Sequence, residues 1–119
     1  MAKGDDIQER LINFSVNIIQ VCQKLPITYA GKHLADQLLR SGTSPAPNYG
    51  EARGAESKKD FIHKLGIVLK ELNESGTWLK LAKRSNLITQ NDANPVQDEC
   101  QQLSKIINAS IMTARGGKD

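Results

Sequence analysis

Histidine and carboxylate side chains at helical spacing are the first candidates for chemistry, because a helical bundle holds a di-iron centre with Glu-x-x-His motifs on two helices. The nearest pattern in the sequence, Asp60-Phe-Ile-His63, occurs once and carries aspartate in place of glutamate. His33 belongs to no such motif. We therefore expect no metal site and no cofactor, and predict that His63 is a solvated side chain among lysines.

The two cysteines are the candidate nucleophiles, since a thiolate attacks carbonyl carbon and a neighbouring base activates it. Cys22 and Cys100 each lie in an apolar periodic segment, and neither has a histidine at a useful local spacing. This placement is typical of buried free thiols. A reducing compartment would also disfavour a disulfide between them.

Two further patterns fall short of a catalytic site. The stretch Gly50-Glu-Ala-Arg-Gly54 lacks the Lys-Ser/Thr pair of a P-loop and follows no strand. Glu71 and Glu74 are one helical turn apart, and we expect them to pair with Lys70 or with solvent. The sequence therefore predicts a protein that is not an enzyme, and no small-molecule substrate is evident.

Positive charge is concentrated in residues 58–84, which hold seven basic and three acidic side chains, whereas residues 1–57 hold six of each. The net charge of +3 alone does not indicate a nucleic-acid-binding protein. Two basic clusters are candidates for phosphate contact: Arg53, Lys58, Lys59 and Lys64, and then Lys80, Lys83 and Arg84. The alternative is a solvated helix face, and neither cluster has the aromatic side chains that stack on single-stranded bases.

A second polar group comprises Arg40, Asn48 and Glu51. Asn48 and Glu51 are three residues apart and share a face if the segment is helical. Beside a pair of prolines, such side chains either satisfy backbone groups freed by a kink or form a subunit contact or partner site. Both interpretations are open from spacing alone.

Composition limits the fold that positions these groups. A chain of 119 residues forms one domain, here residues 1–119, and needs neither disulfide nor metal to fold. Aromatic residues make up only 4%, so leucine, isoleucine and valine must fill the core. No apolar run approaches the ~20 residues that span a bilayer, and the start of the sequence has no signal-peptide pattern. We expect a cytoplasmic protein without membrane contact.

Four segments have helical periodicity. The first covers about residues 6–25, with Asp5 and Gln8 as a capping box and Pro26 as its stop. The second covers about residues 29–53 and contains Pro45 and Pro47. Its helix either ends near Gly42 or kinks at the prolines and continues.

The third and fourth segments have clearer ends. The third covers residues 58–84, with Ser57 and Asp60 at its start and a left-handed Asn86 at its end. Its two glycines, Gly66 and Gly76, predict close helix–helix approach. The fourth is expected to begin at Asn94-Pro95 and to end at Gly116 and Gly117. The pattern predicts an all-α, up-and-down antiparallel four-helix bundle.

One continuous motif is more specific than periodicity: Gln37-Leu-Leu-Arg40-Ser-Gly-Thr-Ser-Pro-Ala-Pro-Asn48-Tyr-Gly-Glu51-Ala-Arg-Gly54. With Asp60-Phe-Ile-His-Lys-Leu-Gly-Ile-Val-Leu-Lys-Glu71-Leu and Trp78-Leu-Lys-Leu-Ala, it resembles the four-helix-bundle proteins encoded within intervening sequences of bacterial large-subunit ribosomal RNA genes. The resemblance covers roughly residues 10–112. Tyr49 stands where that family more often has an aliphatic residue.

The resemblance implies that the second helix continues through a kink, with Arg40, Asn48 and Glu51 as motif positions. It also implies self-association, because members of this fold and the related accessory proteins of diversity-generating retroelements are similar in forming five-fold rings. In that related group the ring is basic and engages nucleic acid. Five copies of a chain of charge +3 would carry +15.

These observations predict a non-enzymatic, pentameric four-helix bundle that binds nucleic acid, RNA or DNA, through its basic clusters. The alternative is an adaptor whose ring holds another protein through the segment from Arg40 to Arg53.

Overall fold

The computed structural model describes residues 3–116 and places five helices in them. They are α1 (Lys3–Lys24), α2 (Tyr29–Thr43), α3 (Pro45–Arg53), α4 (Lys58–Arg84) and α5 (Gln90–Arg115). The described residues contain no strand. Helices α2 and α3 follow one another through a bend at Ser44 and together form one arm of the bundle. The prediction of an all-α four-helix bundle with a kinked second helix is confirmed.

The four arms pack around one core in an elongated molecule of 47 × 22 × 22 Å. Both α1 and α4 pack against the α2–α3 arm and against α5, so α1 and α4 are diagonal to each other. The predicted apolar seams face this core, and their most buried members are at most 1% exposed: Leu11, Phe14, Ile18, Leu65, Leu72, Leu79, Leu103 and Ile107. Leu69, also predicted in the seam of α4, is only partly buried.

Local signals set the ends of α4 as the sequence predicts. The Ser57 side chain accepts a hydrogen bond from the backbone N–H of Asp60 at 3.0 Å, which satisfies one free donor of the first turn. At the other end Asn86 has φ of 60°, the left-handed conformation that asparagine tolerates after a helix.

Two predicted helix starts are wrong. Helix α1 already includes Asp5 and Gln8, so they form no capping box. Helix α5 begins four residues before Asn94, because the Thr89 side chain accepts from the N–H of Asp92 and caps it earlier. Pro95 consequently lies inside α5. Gly116 follows the last helical residue as predicted, while Gly117 lies outside the described residues.

Glycine permits close packing at positions other than those predicted. A Cβ on Gly42 would lie 2.5 Å from Cγ2 of Ile18, so α2 approaches α1 at this point. A Cβ on Gly66 would meet nothing within 4 Å, and one on Gly76 would meet only Sγ of Cys100 at 3.7 Å. The expectation of a close helix contact is therefore wrong for Gly66, whereas Gly76 contacts α5 at Cys100 but leaves room for a Cβ.

We expect Gly42→Ala to lower the free energy of unfolding by about 1–3 kcal/mol, because the added methyl group overlaps the Ile18 side chain. Gly66→Ala is the matched control and should raise it by up to about 1 kcal/mol through helix propensity alone. Chemical denaturation measures both changes. In the Gly42→Ala background, Ile18→Ala should lower the free energy of unfolding by less than it does in the original protein. Equal costs in both backgrounds would contradict the close approach.

Candidate functional site

Two of the predicted motif residues, Arg40 and Asn48, take part in hydrogen bonds at the bend between α2 and α3. Pro45 and Pro47 carry no N–H, so they cannot donate to the carbonyls four residues earlier. Hydroxyl and amide side chains bond to neighbouring carbonyls: Ser44 Oγ donates to the carbonyl of Arg40 at 2.7 Å, and Asn48 Nδ2 donates to that of Ser44 at 2.9 Å. This geometry supports a structural role for Asn48.

Helix α1 and helix α4 hold the bend from both sides. From α1, Ser15 Oγ donates to the carbonyl of Gly42 at 3.0 Å, and Gln8 Nε2 donates to that of Ala46 at 2.8 Å. From α4, Ser75 Oγ lies 2.9 Å from Ser41 Oγ, and neither residue has exposed surface. The arrangement fixes where α2 ends and where α3 begins.

The guanidinium of Arg40 reaches across to α4 and contacts the carboxylates of both Glu71 and Glu74. Glu74 also accepts from the indole N–H of Trp78 at 3.0 Å. The expectation that these glutamates pair with Lys70 or with solvent is therefore wrong. Sequence reasoning missed the link because Arg40 is 31 and 34 residues from its two partners.

Two of the predicted phosphate-binding cations face carboxylates of the protein itself. Arg53 Nη2 donates to Asp5 Oδ1 at 2.8 Å. Lys64 Nζ lies 3.9 Å from carboxylate oxygens of both Glu51 and Asp60. Contacts of this length between partly exposed groups contribute little stability. They nevertheless lower the positive potential that a phosphate would meet, so these two cations are weaker candidates than the sequence suggested.

The remaining predicted cations have no such neighbours. Within residues 3–116, no carboxylate oxygen lies within 4.0 Å of the cationic groups of Lys58, Lys59, Lys80, Lys83 and Arg84. The Lys83 ammonium instead donates to side-chain oxygens of Asn94 and Gln97, each at 2.9 Å. The structure thus separates one predicted set of seven cations into two paired and five without a carboxylate.

The seams between helices differ in which charged side chains they carry. On the α1–α5 seam, Arg10 meets Glu99 at 2.7 Å and Lys24 meets Asp92 at 2.9 Å. The hydrogen bond from Lys24 lowers the pKa of the Asp92 carboxyl, and the bond to Glu99 raises the pKa of the Arg10 guanidinium.

Two acidic residues of α4, Glu71 and Glu74, face α2 and contact Arg40, while Asp60 lies near Lys64 of the same helix. On the α4–α5 seam, Lys83 of α4 bonds instead to the amide oxygens of Asn94 and Gln97 of α5.

A groove of about 310 Å³ runs along this last seam. We call it the α4–α5 groove, and its main lining residues are Asn73, Gly76, Lys80, Gln97, Cys100 and Lys105. No carboxylate lines it. Apart from Lys80, none of these was a predicted site residue, because no motif or spacing joins the two helices in sequence. The only available signal was the excess of positive charge in residues 58–84.

Both cysteines are free thiols, as predicted. Cys100 Sγ donates to the carbonyl of Leu72 at 3.1 Å, and Cys22 Sγ to that of Ala35 at 3.5 Å. Burial raises the pKa of each thiol to about 11. Each is therefore protonated at neutral pH and is not an activated nucleophile.

His63 is exposed, and Asp60 one turn before it lies near Lys64 instead. Across the described residues, no group of three or more His, Cys, Asp or Glu side chains is placed to hold a metal ion. In the same range, every helix is too short or too polar to cross a membrane.

Comparison with known proteins gives matches that cover most of the chain, among them a family model and a crystal structure. The family model described as 23S rRNA-intervening sequence protein matches residues 5–109. The crystal structure of a protein of unknown function from the S23 ribosomal protein family of Bacteroides thetaiotaomicron VPI-5482 is 33% identical, with a TM-score of 0.86.

That match covers 94% of this chain and 100% of the other. No curated protein matches the chain. The relation to the accessory proteins of diversity-generating retroelements stays a prediction.

We expect Asn48→Asp to lower the free energy of unfolding by about 1 kcal/mol at pH 7, because a carboxylate cannot donate to the carbonyl of Ser44. The loss should shrink at acid pH, where the protonated carboxyl donates again. Chemical denaturation at pH 7 and pH 3.5 measures both. The exposed Asn13→Asp is the isosteric control and should change stability by less than about 0.5 kcal/mol at either pH. Similar results for the two variants would argue against the structural role of Asn48.

Proposed function

The chain belongs to the 23S rRNA-intervening sequence protein family, and from this premise we propose that it is a non-catalytic, self-assembling bundle that binds nucleic acid through α4. One observation carries the proposal: Glu71 and Glu74 of α4 are paired with Arg40 of α2, while five cations of α4 have no carboxylate within 4.0 Å among the described residues.

Cations without a partner are the ones that bind phosphate most effectively. A paired ammonium or guanidinium must first lose its contact with the carboxylate, and this loss reduces the free energy of phosphate binding. A solvated cation has no such contact to lose, and its binding releases counterions from the nucleic acid. Lys58 and Lys59 open α4, and Lys80 and Arg84 lie near its end. At 1.5 Å per residue these two groups are roughly 30 Å apart, well beyond a Debye length. They therefore act as two separate phosphate contacts on one extended ligand.

Self-assembly would multiply these contacts. On the outer face of α1, Ile12, Val16 and Ile19 are 41–46% exposed at spacings of four and three residues. Leu39, 42% exposed, lies one turn before Gly42, the α2 residue that meets α1 at Ile18. We call these four residues the α1–α2 patch. Contiguous exposed aliphatic side chains mark interaction surfaces, and the family resemblance implies a five-fold ring in which weak phosphate contacts add up.

The second candidate function is an adaptor for another protein. Ile27 and Tyr29, just before and at the start of α2, are 89% and 96% exposed, and such residues often anchor protein interfaces. The segment from Arg40 to Arg53, which the sequence predicts as the adaptor surface, is less suited to this role, because Arg40 and Arg53 bond to carboxylates of the protein itself. An adaptor would bind its partner with little dependence on the cations of α4.

Removing the unpartnered cations at the end of α4 should weaken RNA binding. We expect Lys80→Gln combined with Arg84→Gln to reduce affinity for a structured RNA, and to lower the slope of log K against log salt by about 1.5. Lys58→Gln combined with Lys59→Gln should do the same. Fluorescence anisotropy between 50 and 200 mM salt provides the measurement.

The matched control is Asn13→Asp combined with Asn17→Asp, which changes net charge by the same two units on α1, diagonal to α4. It should leave the slope within error. If the control weakens binding as much as the α4 variants do, only net charge matters and the proposed surface is wrong. If none of the proteins binds RNA, the adaptor becomes the better candidate.

Assembly through the α1–α2 patch predicts that Val16→Lys dissociates the particle. Sedimentation velocity of the unaltered protein should give five times 13.1 kDa, and the variant should sediment as a smaller species, because a lysine at the centre of an apolar contact must be desolvated. Thr113→Lys, an exposed change on α5, is the control and should keep the full mass. A monomeric unaltered protein would overturn both the ring and the summation of charge.

A further inference from the structure

The α4–α5 groove has a cation at either end. Lys80 lies one turn beyond Gly76 toward the end of α4, and Lys105 lies beyond Cys100 toward the end of α5. Because the two helices are antiparallel and Gly76 faces Cys100, the two ammonium groups stand at opposite ends of the groove. Within residues 3–116, neither has a carboxylate within 4.0 Å.

Amide side chains fill the space between these cations. Asn73, Gln97 and Gln101 line the groove, together with the hydroxyls of Thr77 and Ser104. Gln97 is only 7% exposed, and its oxygen accepts from Lys83 at 2.9 Å. That bond holds the amide in place and directs its nitrogen away from Lys83. The groove thus offers one fixed amide, that of Gln97, and several exposed amides and hydroxyls in addition to charge.

Gly76 keeps the groove open. Glycine inside a helix lowers stability relative to alanine, so a packing reason is expected for it. None exists, because an added Cβ would make only an ordinary contact of 3.7 Å with Cys100 Sγ. A longer side chain at this position would extend into the groove. Glycine is the residue that lets a ligand approach the backbone closely, and this position lies midway between the two cations.

We propose that the α4–α5 groove binds a nucleotide, either free or as one unit of a nucleic acid strand. Its volume of about 310 Å³ lies at the lower end of the range for small-ligand pockets. Side-chain amides pair with the donor and acceptor edges of nucleobases, and lysine binds phosphate. A nucleotide inside a strand has a phosphate on either side, which matches a cation at either end. The strand form rests on the proposed function, whereas the free form does not.

The test compares Gly76→Met with Gly66→Met. Both replace a glycine of α4 by the same helix-favouring side chain, but Gly66 is exposed and does not line the groove. Adenosine monophosphate, inorganic phosphate and adenosine are titrated into each 15N-labelled protein and followed by NMR. We expect adenosine monophosphate to shift the backbone amides of Gly76, Thr77 and Gln101, with inorganic phosphate and adenosine each binding at least tenfold more weakly.

Gly76→Met should weaken the binding of adenosine monophosphate at least tenfold, whereas Gly66→Met should leave its affinity unchanged. Both variants should unfold at or above the temperature at which the original protein unfolds. Lys80→Gln, a surface change without packing consequences, should weaken it at least threefold. The proposal is overturned if adenosine monophosphate causes no shifts in the groove, if inorganic phosphate binds equally well, or if Gly76→Met binds normally.

Repeating the RNA titration with Gly76→Met separates the two sources of the nucleotide. Loss of both ligands means that the groove takes a nucleotide of the strand, and loss of the mononucleotide alone means that it takes the free form. RNA binding without any mononucleotide binding would overturn the groove proposal and leave the proposed function standing. Mononucleotide binding without RNA binding would overturn the proposed function and leave the groove proposal standing.

Discussion

Two prolines separated by one residue place a bend in the middle of one arm, and much of the bundle is arranged around it. Pro45 and Pro47 interrupt the helical hydrogen bonds, and polar side chains bond to groups around the bend from three directions. Ser15 approaches from α1 and Asn48 from within the arm, while Ser75 bonds to a buried hydroxyl from α4. The arm can lie close to both neighbours because Ser15 satisfies the carbonyl of Gly42 on the side of α1, and the Ser41–Ser75 pair satisfies two buried hydroxyls on the side of α4.

The arrangement of charge follows from this close packing. Where the α2–α3 arm meets α4, Arg40 collects the carboxylates of Glu71 and Glu74, so the acidic side of α4 is fixed inward against that arm. The opposite side of α4 is left with lysines and amides. One seam of the bundle therefore differs chemically from the others, and the positive charge along it results from how the helices pair rather than from the modest net charge of +3.

Sequence reasoning succeeded where a local signal decides the structure. Ser57 and Asn86 fix the ends of α4, and the apolar seams give the inward faces directly. It failed where two signals competed, as at Pro95, whose preference for a first helical turn lost to the earlier cap at Thr89. It could not foresee the groove or the Arg40 contacts, because both join residues of different helices and no periodicity records which faces meet. The pattern of apolar residues leaves open whether the second helix ends or continues through a kink, and only the family resemblance predicts that it continues.

Pro95 also affects how the end of the molecule moves. Proline contributes no N–H to the helical ladder, so the first turn of α5 is tied to the rest of that helix by fewer bonds than any later turn. Lys83 spans this weak point, since it bonds to Asn94 before the proline and to Gln97 after it. Local opening of that turn would free one of the two amides and leave the other in place. Opening of this single helical turn would expose the buried Ala93 and allow the Lys83 ammonium to reorient near one end of the groove.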